Sequence, residues 1–276
     1  MSVPLAIRRI ISIQPIDLPV FHPIALRLIN LLSDINYKVI ELENTVNEDQ
    51  VLAGHILKLA NSTSHIGRVK VETIKEALIR LGAHHVSNLA MAVSQAALHV
   101  SKNSFVNDIM QELWLHSHAC AVGCQWVAVN KGYRNIAEQA YLAGLVHDVG
   151  KLHLLKSLER LVNAGMAQAA LERDLLIEIF TELHVEQGAR LMEYWNMPAV
   201  YRNASSRHQD PVIALDDTVL AIVRLVNIAT RKCGLTLSIE PVQNLLELPE
   251  AAMLKMNEDN LIELGHVINK SKEVVF

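Results

Sequence analysis

Ala143-Gly144-Leu145-Val146-His147-Asp148-Val149-Gly150-Lys151 sets an adjacent His-Asp pair at the end of an apolar run and follows it with Gly and Lys. The imidazole offers a neutral nitrogen and the carboxylate a charged oxygen, a donor mix that suits Zn, Mn or Fe. Neighbouring residues on a helix point about 100° apart, so both can face one ion only near a helix end. Gly150 is expected to supply that end, since a glycine just past a helix can take the left-handed turn that stops it. Lys151 adds a positive charge able to meet a phosphate.

The 276 residues suffice for one large domain or two small ones, and a hydrophobic content of 51% provides for a substantial core. Mean hydropathy is high for a soluble chain, at +0.22. Leu113 to Asn130 is a long uncharged stretch, but His116, Ser117, His118, Gln125 and Asn130 interrupt it. Those polar groups are costly in lipid, so the stretch reads as a buried helix rather than a membrane span. No signal-peptide pattern precedes it, which leads to the expectation of a cytoplasmic protein without a membrane partner. Net charge is −4, no basic block occurs and aromatics make up only 4%, all of which argues against nucleic acid as a partner. Cys120, Cys124 and Cys233 include no CxxC pair and read as reduced thiols, the first two on one helix face.

Helical periodicity runs through most of the chain, and alternating strand patterns are missing. Pro23 marks the first position of a helix, Asn36 is placed to cap one over 38–46, and 48–62 is amphipathic through Val51, Leu52, Ile56, Leu57 and Leu59. Thr73-Ile74-Lys75-Glu76 is a capping box, and Gly82 ends the helix it opens. Long helices are predicted over 84–101 and 107–131, and Asn135 to Glu138 resembles a capping box for the helix leading to His147. Further helices are expected near 151–164, 167–180, 184–195, 198–208, 217–233 and 258–274, with Asp216 and Asp217 capping the one at 217.

Four of the 13 histidines fall into a pattern. His116 lies mid-helix in Leu113-Trp114-Leu115-His116-Ser117, His147 heads the His-Asp pair, His184 opens His184-Val185-Glu186-Gln187-Gly188, and His208 ends the helix after Pro198. Imidazoles and a carboxylate from several helices can converge in a bundle core, where such folds build metal sites.

The segment from Trp114 to Lys151 resembles the HD superfamily of metal-dependent phosphohydrolases, with His in an His-Ser context followed by the His-Asp pair. His184 and His208 match two further histidines of its di-metal branch, which includes the HD-GYP phosphodiesterases. A narrower resemblance, to the HDOD family, rests on Leu18-Pro19, Ala53-Gly54-His55-Ile56-Leu57-Lys58-Leu59-Ala60-Asn61-Ser62, Ile74 to Gly82, and His184 to Pro198 with Gly188-Ala189 and Trp195. The resemblance implies an all-α, HD-like bundle with an extra N-terminal helical lobe. It sets an HDOD domain at 17–212, its lobe at about 17–102 and its core starting near 106, with C-terminal helices in 213–276 completing the core.

It further implies candidate metal ligands His116, His147, Asp148, His184 and His208, with Asn227 where active HD enzymes carry a late Asp. Asp148 and Lys151 are the catalytic pair should the site turn over substrate. The implied cofactor is a divalent Fe, Mn, Zn or Mg ion, with no organic cofactor. Two departures weaken the enzymatic expectation: Asn227 brings no charge, and Gln209-Asp210-Pro211 stands where HD-GYP proteins carry Gly-Tyr-Pro. The expectation is a bacterial signal-transduction module with a partly retained metal site, acting on a protein partner or small signalling ligand through its N-terminal lobe. The alternative is a metal-dependent phosphohydrolase.

Overall fold

The structure, a computed structural model, describes residues 8, 21–62, 70–165, 172–211, 217–237 and 244–273. Among these every regular element is helical. No described helix is long and apolar enough to cross a membrane. Two compact units divide between Leu98 and His99.

The first unit holds α1 (Pro23–Leu32), α2 (Val39–Asn47), α3 (Gln50–Ala60), α4 (Ile74–Leu81) and α5 (Ala83–Leu98). Leu28, Leu42, Val46, Leu52, Ile56, Ile74, Leu78 and Val86 form its core. Pro23 stands in the first turn of α1, and Thr73 and Glu76 close the capping box of α4, which ends at Gly82 with φ +86°. Asp49 caps α3 by accepting from the Val51 and Leu52 amides. Asn61 closes the far end of that helix: its side chain donates to the Leu57 and Val71 carbonyls and accepts from the Val71 amide. Its polar atoms are therefore satisfied locally.

Two local expectations for this unit need correction. Asn36 does not cap α2, which starts at Val39 with Lys38 before it and no side-chain cap; Asn36 instead donates its amide to Asp34 Oδ1 at 2.9 Å. Val51 lies off the buried face of α3, since Leu52, Ile56 and Ala60 set the inward stripe and Val51 is left 70% exposed.

The second unit is built on α6 (Ser104–Asn130), whose middle is enclosed by α7 (Ala137–Val146), α11 (Thr218–Lys232) and α13 (Glu258–Ser271). The Leu113–Asn130 stretch is apolar because neighbours surround it: Leu113, Trp114, Ala119, Cys120, Ala121, Cys124, Val127 and Ala128 are all buried. After α7 come α8 (Val149–Asn163), α9 (Arg173–Tyr194) and α10 (Ala199–Arg207), with α8 on α9 and α9 on α10; the short α12 (Pro249–Met253) packs on α11.

Two differences from the sequence reading matter here. The helices expected at 167–180 and 184–195 are one continuous α9, because 173–187 contains neither Gly nor Pro to break it; residues 167–171 lie outside the described set. His184 therefore sits mid-helix. Asn135 lies within a 3-10 turn, Arg134–Ile136, and no side chain caps α7; Glu138 instead accepts from Gln125 Nε2 at 3.0 Å. Asp217 does cap α11, accepting from the Leu220 amide at 3.0 Å, while Asp216 lies outside the described residues.

Gly150 also differs from expectation. It does not end a helix but lies inside the first turn of α8. A Cβ there would fall 1.9 Å from the His184 carbonyl oxygen and 2.8 Å from the Gly188 amide nitrogen. The residue is glycine because the backbones of α8 and α9 touch. Gly144 does the same between α7 and α6, where a Cβ would meet the Cys120 carbonyl oxygen at 2.9 Å. These two contacts hold α6 against α7 and α8 against α9, four of the helices that contribute to the site.

Candidate metal centre

Helix α7 ends at Val146, and His147 and Asp148 form the junction before α8 begins at Val149. His147 keeps helical backbone angles (φ −57°, ψ −35°) while Asp148 departs from them (φ −100°, ψ 15°), and the two side chains approach, His147 Nε2 lying 3.5 Å from Asp148 Oδ2. Three further imidazoles reach the same carboxylate. His116 on α6 brings Nε2 to 3.4 Å from Oδ2, His184 on α9 brings Nε2 to 3.5 Å from Oδ1, and His208 at the end of α10 brings Nε2 to 3.3 Å from Oδ1. All five residues are buried.

The other nitrogen of each ring is tied to a backbone carbonyl. His116 Nδ1 donates to Leu235 O at 2.8 Å, His147 Nδ1 to Gly144 O at 2.8 Å, His208 Nδ1 to Ala204 O at 3.0 Å, and His184 Nδ1 to Phe180 O. A carbonyl only accepts, so each Nδ1 carries the proton and each neutral ring presents an Nε2 lone pair. Outer contacts of this kind fix ring orientation and tautomer around a bound metal. Burial disfavours the charged form of His116, His147 and His184. It pushes His116 down to about 4, opposed by Asp148 and aided by Lys151. It pushes His184 down to about 3 and His147 well below the ordinary histidine range, again against the pull of Asp148. For Asp148 burial alone acts upward, but Lys151, His147, His208 and His184 together hold the carboxyl well below its usual range.

The donor set fits a cation. His184 Nε2 and His208 Nε2 lie 3.2 Å apart, lone pair toward lone pair, beside a carboxylate oxygen. His147 Nε2, Asp148 Oδ1 and Asn227 Oδ1 are buried without a hydrogen-bond partner. Such orphaned acceptors are expensive unless something positive lies among them. Lys151 supplies part of that charge, its Nζ standing 2.5 Å from Asp148 Oδ2. The two carboxylate oxygens are thus unlike: Oδ2 already has an ammonium, whereas Oδ1 faces only imidazoles.

Asn227 is buried on α11 and lines the same cavity as His116. That cavity is about 400 Å³, within the range of small-ligand sites. Lys151, Arg224 and Arg231 are its cations; of its lining residues only Glu112 is acidic, and Arg173 holds both its oxygens, at 3.0 and 2.7 Å. A small anion with an apolar portion suits such walls, with Leu113, Ile177 and Phe180 as the apolar part. Sequence reasoning singled out Asn227 but passed over Arg224 and Arg231, three residues before and four after it on the same helix face. It also passed over Cys120, whose Sγ lies 3.7 Å from His116 Nε2.

A His-Asp pair at a helix junction, joined by three more imidazoles inside an all-α bundle, is the arrangement that defines HD-type proteins in the resemblance drawn above. The sequence matches the HDOD domain family over residues 18–211, and the chain belongs to that family. Solved structures share the fold. An HDOD domain protein of unknown function from Geobacter sulfurreducens superposes with a TM-score of 0.69 at 21% identity, over 97% of each chain. A Shewanella amazonensis SB2B protein, provisionally named a metal-dependent phosphohydrolase, gives 0.72 at 19% identity, over 98% of this chain and 97% of that one. A Marinobacter aquaeolei VT8 protein, provisionally named for signal transduction, gives 0.70 at 21% identity, over 98% of this chain and 65% of that one. An uncharacterized protein of Treponema pallidum (strain Nichols) is 24% identical over 200 residues, which span 70% of this chain and 38% of that protein.

Proposed function

We propose that this chain is a bacterial signal-transduction module of the HDOD family, cytoplasmic, whose HD-type pocket holds a divalent cation and which works by binding rather than by turnover. The observation that carries the reading is the composition of the pocket: a full shell of four imidazoles around a single carboxylate that Lys151 has already engaged. His116, His147, Asp148, His184 and His208 would hold the ion, with Asn227 at the margin. When bound, a divalent ion supplies Lewis-acid polarisation to a phosphoryl oxygen.

The chain's own residues then favour retention of an anion over its conversion. Lys151 and Arg231 attract and orient it, while Arg224 is held by Glu250, and Phe180 and Ile177 limit water around it. One carboxylate among neutral donors leaves a divalent ion with half of its charge, and divalent sites favour anionic oxygen. Asn227→Asp is accordingly expected to tighten divalent-metal binding about tenfold or more, read by titration of chelator-stripped protein. Equal affinity in the two proteins would remove Asn227 from the ligand set.

Output is assigned to the N-terminal unit, whose α3 presents Lys58 to solvent. The test is a pull-down with wild-type, Asp148→Ala and Lys58→Glu baits. Partner capture should survive Asp148→Ala and be lost with Lys58→Glu. Loss with Asp148→Ala alone would move the output to the metal pocket. The alternative reading, a metal-dependent phosphohydrolase, gains support from the provisional name of the Shewanella structure. Phosphoester turnover abolished by Asp148→Ala would replace the binding reading with it. Cyclic dinucleotides are not expected to be substrates, since Gln209-Asp210-Pro211 follows His208.

A further inference from the structure

Cys120 lies one turn after His116 on α6, fully buried, and shares a space with both His116 and His147. One ligand atom from each of the three lies within 4.8 Å of the others. Cys120 Sγ lies 3.7 Å from His116 Nε2, and Asp148, which also groups with His184 and His208, brings Oδ2 to 3.4 Å from His116 Nε2 and 3.5 Å from His147 Nε2, spacings close to those of a tetrahedral site. Bonds of about 2.0–2.3 Å to a tetrahedral zinc ion place neighbouring donors roughly 3.3–3.6 Å apart. His147 Nε2 is buried without a hydrogen-bond partner and faces into the cluster.

We infer that Cys120 is a metal ligand, and that His116, Cys120, His147 and Asp148 Oδ2 form a thiolate-containing half of the centre that selects zinc-like ions over magnesium. The inference rests on the cation-binding reading above and adds the identity of one ligand and of the ion. The charge supports it. Asn227 contributes none, so without Cys120 this half has a single anion; a thiolate beside Asp148 balances a divalent ion. On coordination the metal–sulfur bond forms and the S–H proton leaves to solvent, as it does for thiols bound to such ions. While Cys120 keeps its proton, Thr230 Oγ1 accepts from the thiol at 3.4 Å and donates its own proton to the Val226 carbonyl at 2.8 Å, which holds Sγ in place beside His116. A soft sulfur donor discriminates against hard, oxygen-seeking magnesium. Lys151 must leave Oδ2 for the ion to enter, and at 14% side-chain exposure it borders the cavity into which it can swing.

The test is cobalt substitution of the full chain, followed by absorption spectroscopy. Cobalt-loaded wild type should show both ligand-field bands and a near-ultraviolet thiolate-to-cobalt charge-transfer band, and zinc should abolish both where excess magnesium does not. Cys120→Ser should lose the charge-transfer band and bind cobalt on the order of tenfold more weakly. Cys124→Ser and Cys233→Ser, which alter the other two thiols, should keep it. Bound cobalt whose spectrum lacks the band in wild type, or keeps it in Cys120→Ser, overturns the thiolate assignment and leaves the cation centre standing. Failure of wild type to bind cobalt in equilibrium dialysis overturns both.

Discussion

Gly150→Ala is expected to lower stability by more than about 4 kcal/mol, among the largest effects a single substitution produces. The added methyl would lie 1.9 Å from the His184 carbonyl oxygen and 2.8 Å from the Gly188 nitrogen. Both neighbours are backbone atoms, so no rotamer change relieves the clash and α8 must move away from α9. The separation would carry Asp148, at the start of α8, away from His184 on α9, so the loss should be structural and functional together. A melt should show a midpoint drop of roughly 10 °C or more for a unit of this size. Gly54→Ala is a suitable comparison, because a Cβ there meets nothing within 4 Å. A Gly150→Ala protein that melts with wild type would mean that the α8–α9 approach is looser than described.

Asp148→Ala is expected to weaken divalent-metal binding by about 100-fold or more, beyond the 10–100-fold typical of outer-shell changes. All four Nε2 atoms converge on this one carboxylate at 3.3–3.5 Å, and among the described residues no other carboxylate joins them in the cluster. Without it the site keeps its imidazoles and the Cys120 sulfur but no carboxylate, and the Lys151 ammonium, left without its partner, repels a cation. Equilibrium dialysis of wild type against Asp148→Ala measures the difference. Comparable affinity would place the ion elsewhere.

Much of this arrangement was legible in the sequence, for identifiable reasons. The capping box at Thr73, the stop at Gly82 and the cap at Asp217 are local devices, readable from a few adjacent residues. The five converging residues were legible because their types are uncommon in a core and their order matched a known pattern. What escaped depends on contacts distant in sequence. Gly150 looks like a helix stop when read along the chain, and only the passage of α9 across it shows a close-approach glycine. His184 looked like a helix start, yet the local sequence gives no break before it. Cys120 was paired by spacing with Cys124, although its four-residue distance from His116 was equally visible. Nothing local says which neighbour on a fully buried helix face will matter; that is decided by where His147 arrives from α7.

The central claim is that the four imidazoles and Asp148 hold a cation. The most direct measurement is the metal content of the full chain after zinc or manganese loading and removal of free ion by gel filtration. A stoichiometric divalent ion per chain, released by chelator and restored on reloading, is the expected result. A chain that passes through loading with only trace metal would contradict it, and would leave His116, His147, His184 and His208 as core side chains arranged around a Lys151–Asp148 ion pair.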